Sequence, residues 1–357
     1  MSAQVRNSGL DFLRGVAVAL VMLRHAWPAN FGGAGIVGVT IFFTLSGYLI
    51  SGLLARDIEV HGTPRWGRFY AHRFFRLMPA LLLLLAAYAL VETVWSPLGF
   101  EQSVLETVVV GVTYTSDLPV GLDPGALTHL WSLAIEEQFY LVWPAVLWFA
   151  TRRGIGLGRM AVISVVGLTL VCWTTLVIAS SPDALYTRPT TWASAMAIGA
   201  VAKLCEHRCR AATERYLGPL TWAAAAALVS LALVPDAKEQ AWIYVLGPTI
   251  IGVCTAVLIF KATACARLHM VWRPGAWLGL VSYGVYLWNL LIVQWFEAAV
   301  EAPTAWQMAA TLPLTVAAAV VSWYTVEAGG RWLRHRFDHR AAAERSVASA
   351  SSIDFHP

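Results

Sequence analysis

The chain has 357 residues, of which 58% are hydrophobic and 13% charged, and its mean hydropathy is +0.62. A soluble globular domain carries more surface charge, so this composition excludes one and indicates an integral membrane protein. The formal net charge of +4 is small for this length, and the basic residues fall in short clusters between apolar runs. This distribution argues against a nucleic-acid partner and for a lipid bilayer.

Ten apolar runs approach the length of about 20 helical residues that crosses the hydrocarbon core of a bilayer. They predict an all-α membrane protein, a polytopic bundle of about ten transmembrane helices within a domain at residues 1–336. The predicted spans are 10–28, 36–55, 75–95, 129–150, 160–180, 190–204, 217–234, 241–260, 277–296 and 307–326. The sixth of these runs is the shortest.

Basic and weakly charged loops alternate along this series. The basic loops are 56–76, 151–159, 203–215, 261–273 and 330–340. Because loops rich in Lys and Arg stay in the cytoplasm, the alternation predicts a multi-pass protein of the inner (plasma) membrane with both termini cytoplasmic. Segment 97–128 is broken by Pro and Gly, so we expect it to be outer or re-entrant. The tail at 337–357 is rich in Ala, Ser and charge, which predicts disorder.

The cysteines predict neither a disulfide framework nor a metal centre. They number five and lie in or beside predicted helices: Cys172, Cys205, Cys209, Cys254 and Cys265. The closest pair, Cys205 and Cys209 around His207, would need two more ligands to hold a metal ion. We therefore expect an ordinary helix end there and no metal.

The first predicted span, LDFLRGVAVALVMLRHAW, contains ionisable residues that lipid disfavours. Arg14 and His25 are eleven residues apart, so they share one helix face and lie roughly 16 Å apart along the axis. A charge within a span is costly, so we expect both to line one wet tunnel. Arg24 points elsewhere and is expected to extend to the interface. The alternatives are a surface anchor for Arg14, paired with Asp11, and a helix-end role for His25.

Two further stretches place polar groups in or beside predicted spans. In HLWSLAIEEQFYLVWP, Ser132 and Glu136 lie four residues apart and share a helix face, and a buried Glu must be paired or protonated. RFYAHRFFRLMP brings His72, Arg73 and Arg76 to the start of a helix. Ordinary cytoplasmic charge is the alternative explanation for this second stretch.

Seven stretches, in chain order, resemble the successive motifs of the acyltransferase-3 family of membrane O-acyltransferases, from residue 8 to residue 336. They are LDFLRGVAVALVMLRHAW, GVTIFFTLSGYLIS, RFYAHRFFRLMPALLLL, HLWSLAIEEQFYLVWP, YTRPTTWASAMAIGAVA, VSYGVYLWNLLIV and SWYTVEAGGRWLR. The resemblance implies transfer of an acyl group, commonly acetyl from acetyl-CoA, to a sugar hydroxyl. Acyl-CoA would be a co-substrate, with no permanently bound cofactor.

The resemblance also implies site residues, carried over position by position. The catalytic candidates are His25, Arg14 and Glu136, and the candidates for binding the donor are Arg73, Arg76, His72 and Arg188. Three positions depart from the family pattern. His72 stands where a further Arg is usual, Asn289 stands where His is usual, and no Pro follows the late Glu327. A proton-relay role at position 289 is therefore open.

Acyl transfer from a thioester to an alcohol needs a base, a stabiliser of the oxyanion and an anchor for the donor. We hypothesise that His25 is the general base, that Glu136 orients or tunes it, and that Arg14 serves the donor or the developing negative charge. Direct transfer and a covalent acyl-histidine relay both satisfy this scheme.

The acceptor class and two other functional classes stay open at this point. A surface glycan, a glycolipid or a macrolide-type sugar of a bacterium would each supply the hydroxyl. A transporter or flippase of a lipid-linked or acylated sugar is the main alternative, and two related halves would be its signature, but no internal repeat is evident. An inactive scaffold with the same fold is the third possibility.

Overall fold

The computed structural model describes residues 7–100, 103–118, 122, 124–178, 185–264 and 269–353, with side chains as far as His339. Within these ranges the chain is helical and contains no strand. The helices are α1 Ser8–Ala26, α2 Ala34–His61, α3 Trp66–Val94, α4 Val104–Thr113, α5 Trp131–Arg152, α6 Leu157–Ile178, α7 Pro189–Leu204, α8 Glu206–Thr213, α9 Leu217–Ala232, α10 Ala241–Ala264, α11 Arg273–Leu280, α12 Ser282–Ala299, α13 Ala305–Met308, α14 Thr311–Tyr324 and α15 Val326–Ile353.

Local sequence signals set the ends of the first two helices. The side chain of Asn7 caps α1 by accepting hydrogen bonds from the backbone N–H groups of Gly9 (2.9 Å) and Leu10 (3.2 Å). Helix α2 ends at Gly62, which adopts a left-handed conformation with φ of 70° that a residue without Cβ accepts at little cost. These ends fix the length of the two helices that carry much of the site.

Several helices are long and apolar enough to cross a membrane. These candidate spans are Ala34–His61, Trp66–Val94, Leu157–Ile178, Ala241–Ala264 and Ala305–His339, and the pair Met270–Leu280 and Ser282–Ala299, bent by 69°, is a sixth if it counts as one span. Large apolar side chains on α6 face outward, with Val177 86% exposed and Ile178 80% exposed. Such a surface requires lipid around it, so the chain is a multi-pass membrane protein.

The expectation of about ten spans exceeds the number that meets these length and composition criteria. Helix α1 carries Asp11, Arg14 and Arg24, and helix α5 carries Glu136 and Glu137, so charge lowers the hydropathy of both. Helices α7 and α9 have only 16 residues each. The charged residues that suggest a site thus also lower the hydropathy by which a membrane span is recognised. The count of ten spans and the cytoplasmic location of both termini stay predictions.

The centre of the fold is a close crossing of α2 and α7. A Cβ added to Gly47 would overlap the carbonyl oxygen of Met196, and one added to Gly199 would overlap the carbonyl oxygen of Thr44. Small residues let membrane helices approach to backbone contact in this way. Helix α1 packs between α2 and α11, and its Ala17 and Val18 are fully buried. Helix α1 is therefore enclosed by protein.

Two segments, 97–128 and 337–357, were predicted not to cross the membrane. Within 97–128, α4 is a ten-residue helix against α3, too short to span. The backbone of α15 continues as helix through most of 337–357, while the domain boundary and the disorder of that tail stay predictions.

The described cysteines are free thiols, and Cys205 caps α7 at an ordinary helix end, whereas Cys265 lies outside the described residues.

Candidate active site

A cavity of about 100 Å³, here called the arginine cavity, lies between α1, α2, α3, α5 and α12. Its polar walls are the side chains of Arg14, Ser46, Arg73, Arg76, Ser132, Glu136, Tyr140, Ser282 and Tyr286. The remaining wall is apolar and includes Phe42, Phe43 and Leu49. This arrangement confirms that Ser132 and Glu136 face the same space, as their spacing predicted, and it brings the arginines of α1 and α3 to that space.

The arginine cavity has a surplus of positive charge. Arg73 donates a hydrogen bond to Glu137 at 3.0 Å, and its guanidinium carbon lies 3.1 Å from the centre of the Tyr140 ring. Arg14 and Arg76 form no ion pair inside the cavity with any residue that the structure describes, and the Nε of Arg14 is buried without a hydrogen-bond partner. The alternative in which Arg14 is a surface anchor paired with Asp11 stays open. Two guanidinium groups are thus available to an anion.

Glu136 is the carboxylate inside the arginine cavity. Its Oε1 accepts hydrogen bonds from the hydroxyls of Ser46 and Tyr140. It does not contact His25, so the expectation that Glu136 orients the imidazole is wrong. Helix α5 places Glu136 beside Ser46 of α2. The residue that contacts the His25 ring is Asn289 of α12.

The bend between α11 and α12 adds a further group to this cavity. Helix α12 begins at Ser282, so the positive end of its dipole lies at the wall. The hydroxyl of Ser282 is fully buried and has no hydrogen-bond partner among the described groups. A helix N-terminus beside an unsatisfied hydroxyl suits an oxyanion or a carbonyl oxygen.

The arginine cavity adjoins a larger cavity of about 500 Å³, the basic vestibule, with which it shares Arg14, Leu49, Arg76 and Tyr283. Asn7, which precedes α1, lines the vestibule together with Arg331 and Arg334 of α15. Glu327 also lies here and accepts a hydrogen bond of 3.3 Å from Ser322. The late glutamate of the sequence motifs is therefore a neighbour of the basic residues.

His25 lines a different cavity of about 470 Å³, the histidine cavity, near the other end of α1. Other polar residues in its wall are Arg24, Thr128, His129, Tyr186, Thr187, Lys238, Tyr286, Gln294 and Glu297. Arg24 thus lines a cavity together with His25, and its extension to the interface stays a prediction. The helix turns Arg24 away from His25, but the cavity wraps far enough around α1 to include both.

A chain of hydrogen bonds fixes the state of the His25 ring. The hydroxyl of Thr315 donates to the carbonyl oxygen of Thr311 at 2.7 Å, so it accepts from the amide nitrogen of Asn289 at 3.3 Å. The Asn289 oxygen then faces Nδ1 of His25 at 2.6 Å. An amide oxygen only accepts, so Nδ1 carries the hydrogen and Nε2 keeps a free lone pair.

His129, which the sequence analysis did not single out, shares the histidine cavity with His25. Its Nε2 lies 3.0 Å from the carbonyl oxygen of Leu287, which requires a donor, and its buried Nδ1 has no partner among the described groups. His129 opens the HLWSL motif, so the motif itself was the available signal. Ser46, Tyr140, Ser282 and Tyr286 were also missed, although each lies inside a quoted motif.

Tyr286 separates the two cavities. It lines both of them together with Val39, and its hydroxyl donates to the carbonyl oxygen of His129 at 2.6 Å and lies 2.5 Å from the hydroxyl of Ser132. The sequence predicted that Arg14 and His25 line one open tunnel. The structure instead places them in two cavities, so this prediction is wrong. They face successive cavities that share a wall at Val39 and Tyr286.

Two of the expected donor-binding residues lie apart from these cavities. His72 lies 2.9 Å from a carboxylate oxygen of Asp338 on α15, and Arg68 donates to the same oxygen at 3.0 Å. Arg188 precedes α7, next to Thr187 of the histidine cavity and far along the chain from the arginines of α3. Neither His72 nor Arg188 belongs to the walls of the three cavities, whereas Arg73 and Arg76 do.

The helical bundle encloses a basic cavity beside an oriented histidine. This arrangement suits a group-transfer enzyme in a membrane. Residues 7–325 match the family model described as an acyltransferase domain, so the chain belongs to the acyltransferase-3 family. The family is one of acyltransferases, so transfer of an acyl group is the activity to test, against a transporter or an inactive scaffold of the same fold.

The curated relatives are bacterial O-acetyltransferases. The chain is 29% identical to the provisionally named peptidoglycan O-acetyltransferase YrhL of Bacillus subtilis, over 97% of this chain and 60% of that protein. It is 27% identical to peptidoglycan O-acetyltransferase OatA of Listeria monocytogenes, over 89% of this chain and 54% of that protein. The chain thus spans less than two thirds of the length of these relatives. No solved structure matches it significantly.

Proposed function

We propose that this protein moves an acetyl group from acetyl-CoA to a hydroxyl of a carbohydrate-containing acceptor, with His25 as the general base. The observation that carries the proposal is the hydrogen-bond chain from Thr315 through Asn289 to His25, since it leaves Nε2 as a basic lone pair in a cavity. A positioned imidazole of this kind is worth about 10² to 10⁴ in rate.

The chemical step uses the imidazole of His25 first as a base and then as an acid. Nε2 of His25 takes the proton of the acceptor hydroxyl while the oxygen attacks the thioester carbonyl. The tetrahedral oxyanion collapses, the carbon–sulfur bond breaks, and the imidazolium returns its proton to the departing thiolate. The products are an ester and free CoA. The step requires the acyl group to pass Tyr286, so the proposal includes a movement of that side chain.

The donor binds through the basic vestibule and the arginine cavity. Arg76, Arg331 and Arg334 supply charge for the phosphates of CoA, and guanidinium groups form strong, charge-assisted hydrogen bonds to phosphate. The apolar wall at Phe42 and Phe43 suits the pantetheine arm. Arg14 and the start of α12 stabilise the thioester oxygen as it becomes negative.

The acceptor side is proposed from the relatives and from the loop charges. The relatives carry names that specify peptidoglycan, so a cell-surface glycan is the first acceptor class to test, with glycolipids and macrolide-type sugars beside it. The alternation of basic loops supports ten crossings of the inner membrane with both termini cytoplasmic. In that orientation acetyl-CoA enters from the cytoplasm and the acceptor from the other side.

The decisive experiment measures CoA release and ester formation by purified His25→Ala. We expect turnover to fall by about 10² to 10⁴ because the base is lost. His61→Ala is the control, since His61 is exposed at the end of α2 and lines none of the three cavities. His129→Ala is measured in parallel, because the Nδ1 of His129 is the other free imidazole nitrogen in the cavity.

Near wild-type turnover by His25→Ala would remove His25 from the role of base. If His129→Ala were then the inactive variant, the base would be His129. If the wild-type protein consumed no acetyl-CoA with any glycan acceptor, the proposed donor would be wrong.

A further inference from the structure

The histidine cavity contains more cationic side chains than the transfer step needs. Arg24 and Lys238 line it together with His25, and the carboxylate in the described wall is Glu297. Glu297 forms no ion pair with Arg24 in the part of the chain that the structure describes. Neither cation lies in the arginine cavity or the basic vestibule, so this charge is separate from the proposed donor site.

Arg24 has no counter-ion of its own. It forms no ion pair with Glu297 or with any other residue in the described part of the chain, and its Nε is buried without a hydrogen-bond partner. Its stem runs beside Gly35, where an added Cβ would lie 3.1 Å from the Arg24 Cγ. An arginine held inside a membrane protein without a counter-ion is costly unless a ligand supplies the negative charge.

Aromatic side chains adjoin these cations. The rings of Trp131 and Tyr186 lie 4.8 Å apart between centres, and both line the cavity. The Nζ of Lys238 lies 4.1 Å from the centre of the Tyr186 ring. Flat aromatic faces beside a few polar groups are typical of pockets that bind small organic rings, including sugars.

We infer that the histidine cavity selects an acceptor that carries an anionic group, a carboxylate or a phosphate ester, which Arg24 binds while its hydroxyl faces His25. This inference rests on the proposed function, because it assigns the acceptor to this cavity. The aromatic pair binds the sugar ring, and the charge contact sets which hydroxyl reaches Nε2. A neutral sugar of the same size leaves Arg24 unpaired and binds more weakly.

The test compares binding of matched sugars to the purified full-length chain by equilibrium dialysis, without acetyl-CoA. The probes are methyl glucuronide, which carries a carboxylate, and methyl glucoside, which is neutral, with glucose 1-phosphate as the phosphate ester. A charge-assisted contact predicts that an anionic sugar binds about 10- to 100-fold more tightly than methyl glucoside. Raising the salt concentration reduces this preference. Whichever anionic probe binds more tightly identifies the carboxylate or the phosphate as the preferred group.

Variants connect the preference to Arg24. Arg24→Gln removes the preference for the anionic sugar, and Arg24→Lys keeps most of it. Arg215→Gln leaves it unchanged, since Arg215 is exposed and lines none of the described cavities. Equal affinity for neutral and anionic sugars, no binding of any of the three, or an unchanged preference in Arg24→Gln would overturn the inference. Charge-selective binding without consumption of acetyl-CoA would overturn the proposed function alone.

Discussion

At the residue scale, Asn289 is the residue that orients the His25 ring, a role that the sequence predicted for Glu136. The bond from His25 to the Asn289 oxygen holds the ring in the tautomer that leaves Nε2 free. An asparagine cannot take up a proton as a carboxylate or imidazole can, so it orients the imidazole and does not relay protons. The proposed base is therefore held by an amide at the position that departs from the family pattern.

Replacing Asn289 with Leu tests this orienting role. Leucine fills a similar volume but accepts no hydrogen bond, so we expect kcat to fall by about 10- to 100-fold with both KM values nearly unchanged. Nitrogen-15 NMR of labelled histidine checks the cause, because the Nδ1-protonated signature of His25 should disappear. Asn289→Asp, which keeps an acceptor oxygen, should retain more activity than Asn289→Leu. An unchanged kcat in Asn289→Leu would show that Asn289 does not position the base.

At the scale of elements, the crossing of α2 and α7 couples packing to the site. Gly47 lies at the crossing, and the preceding residue, Ser46, donates a hydrogen bond to Glu136. Any change that separates the two helices also moves Ser46. The backbone contact at the crossing therefore determines the geometry of the arginine cavity.

Gly199→Ala tests this coupling, with Gly167→Ala as the matched control. A methyl group at position 199 overlaps the backbone of Thr44, whereas one at position 167, on α6, meets nothing within 4 Å. Overpacking of this kind costs about 1–3 kcal/mol, and Ala in place of an unconstrained helical Gly is neutral or stabilising by up to about 1 kcal/mol. We expect thermal unfolding in detergent to show a lower Tm and reduced turnover for Gly199→Ala alone. Equal Tm values for the two variants would contradict the close crossing.

The sequence predicts those parts of the site that depend on a single helix. Arg14 and His25 on α1, and Ser132 with Glu136 on α5, each share a face because 3.6 residues make a turn. The partnership of His25 with Asn289 depends on how α12 packs against α1 after the bend at Val281. That bend is a tertiary feature, and no periodicity along the chain reports it, so the wall at Tyr286 was not foreseen.

At the scale of the whole molecule, the three cavities form a series from one end of α1 to the other. Asn7, at the start of α1, lines the basic vestibule, and His25, near its end, lines the histidine cavity. Eighteen residues of helix separate them by about 27 Å, close to the thickness of the hydrocarbon core. The basic vestibule and the histidine cavity thus lie at opposite ends of α1, and the proposed function predicts that they open toward opposite faces of the membrane.

Sealed proteoliposomes test this arrangement as a vectorial reaction. Acetyl-CoA supplied outside should be consumed only by molecules whose vestibule faces outward, and the ester should accumulate inside, where the acceptor is enclosed. The fraction in that orientation is measured with an impermeant maleimide on Arg153→Cys, an exposed position in the basic loop 151–159, in a variant without native cysteines. Permeabilising the vesicles should raise CoA release to the value for both orientations. If ester forms equally well when donor and acceptor share the outer compartment of sealed vesicles, the two sites open to the same face and the series of cavities is not a transmembrane path.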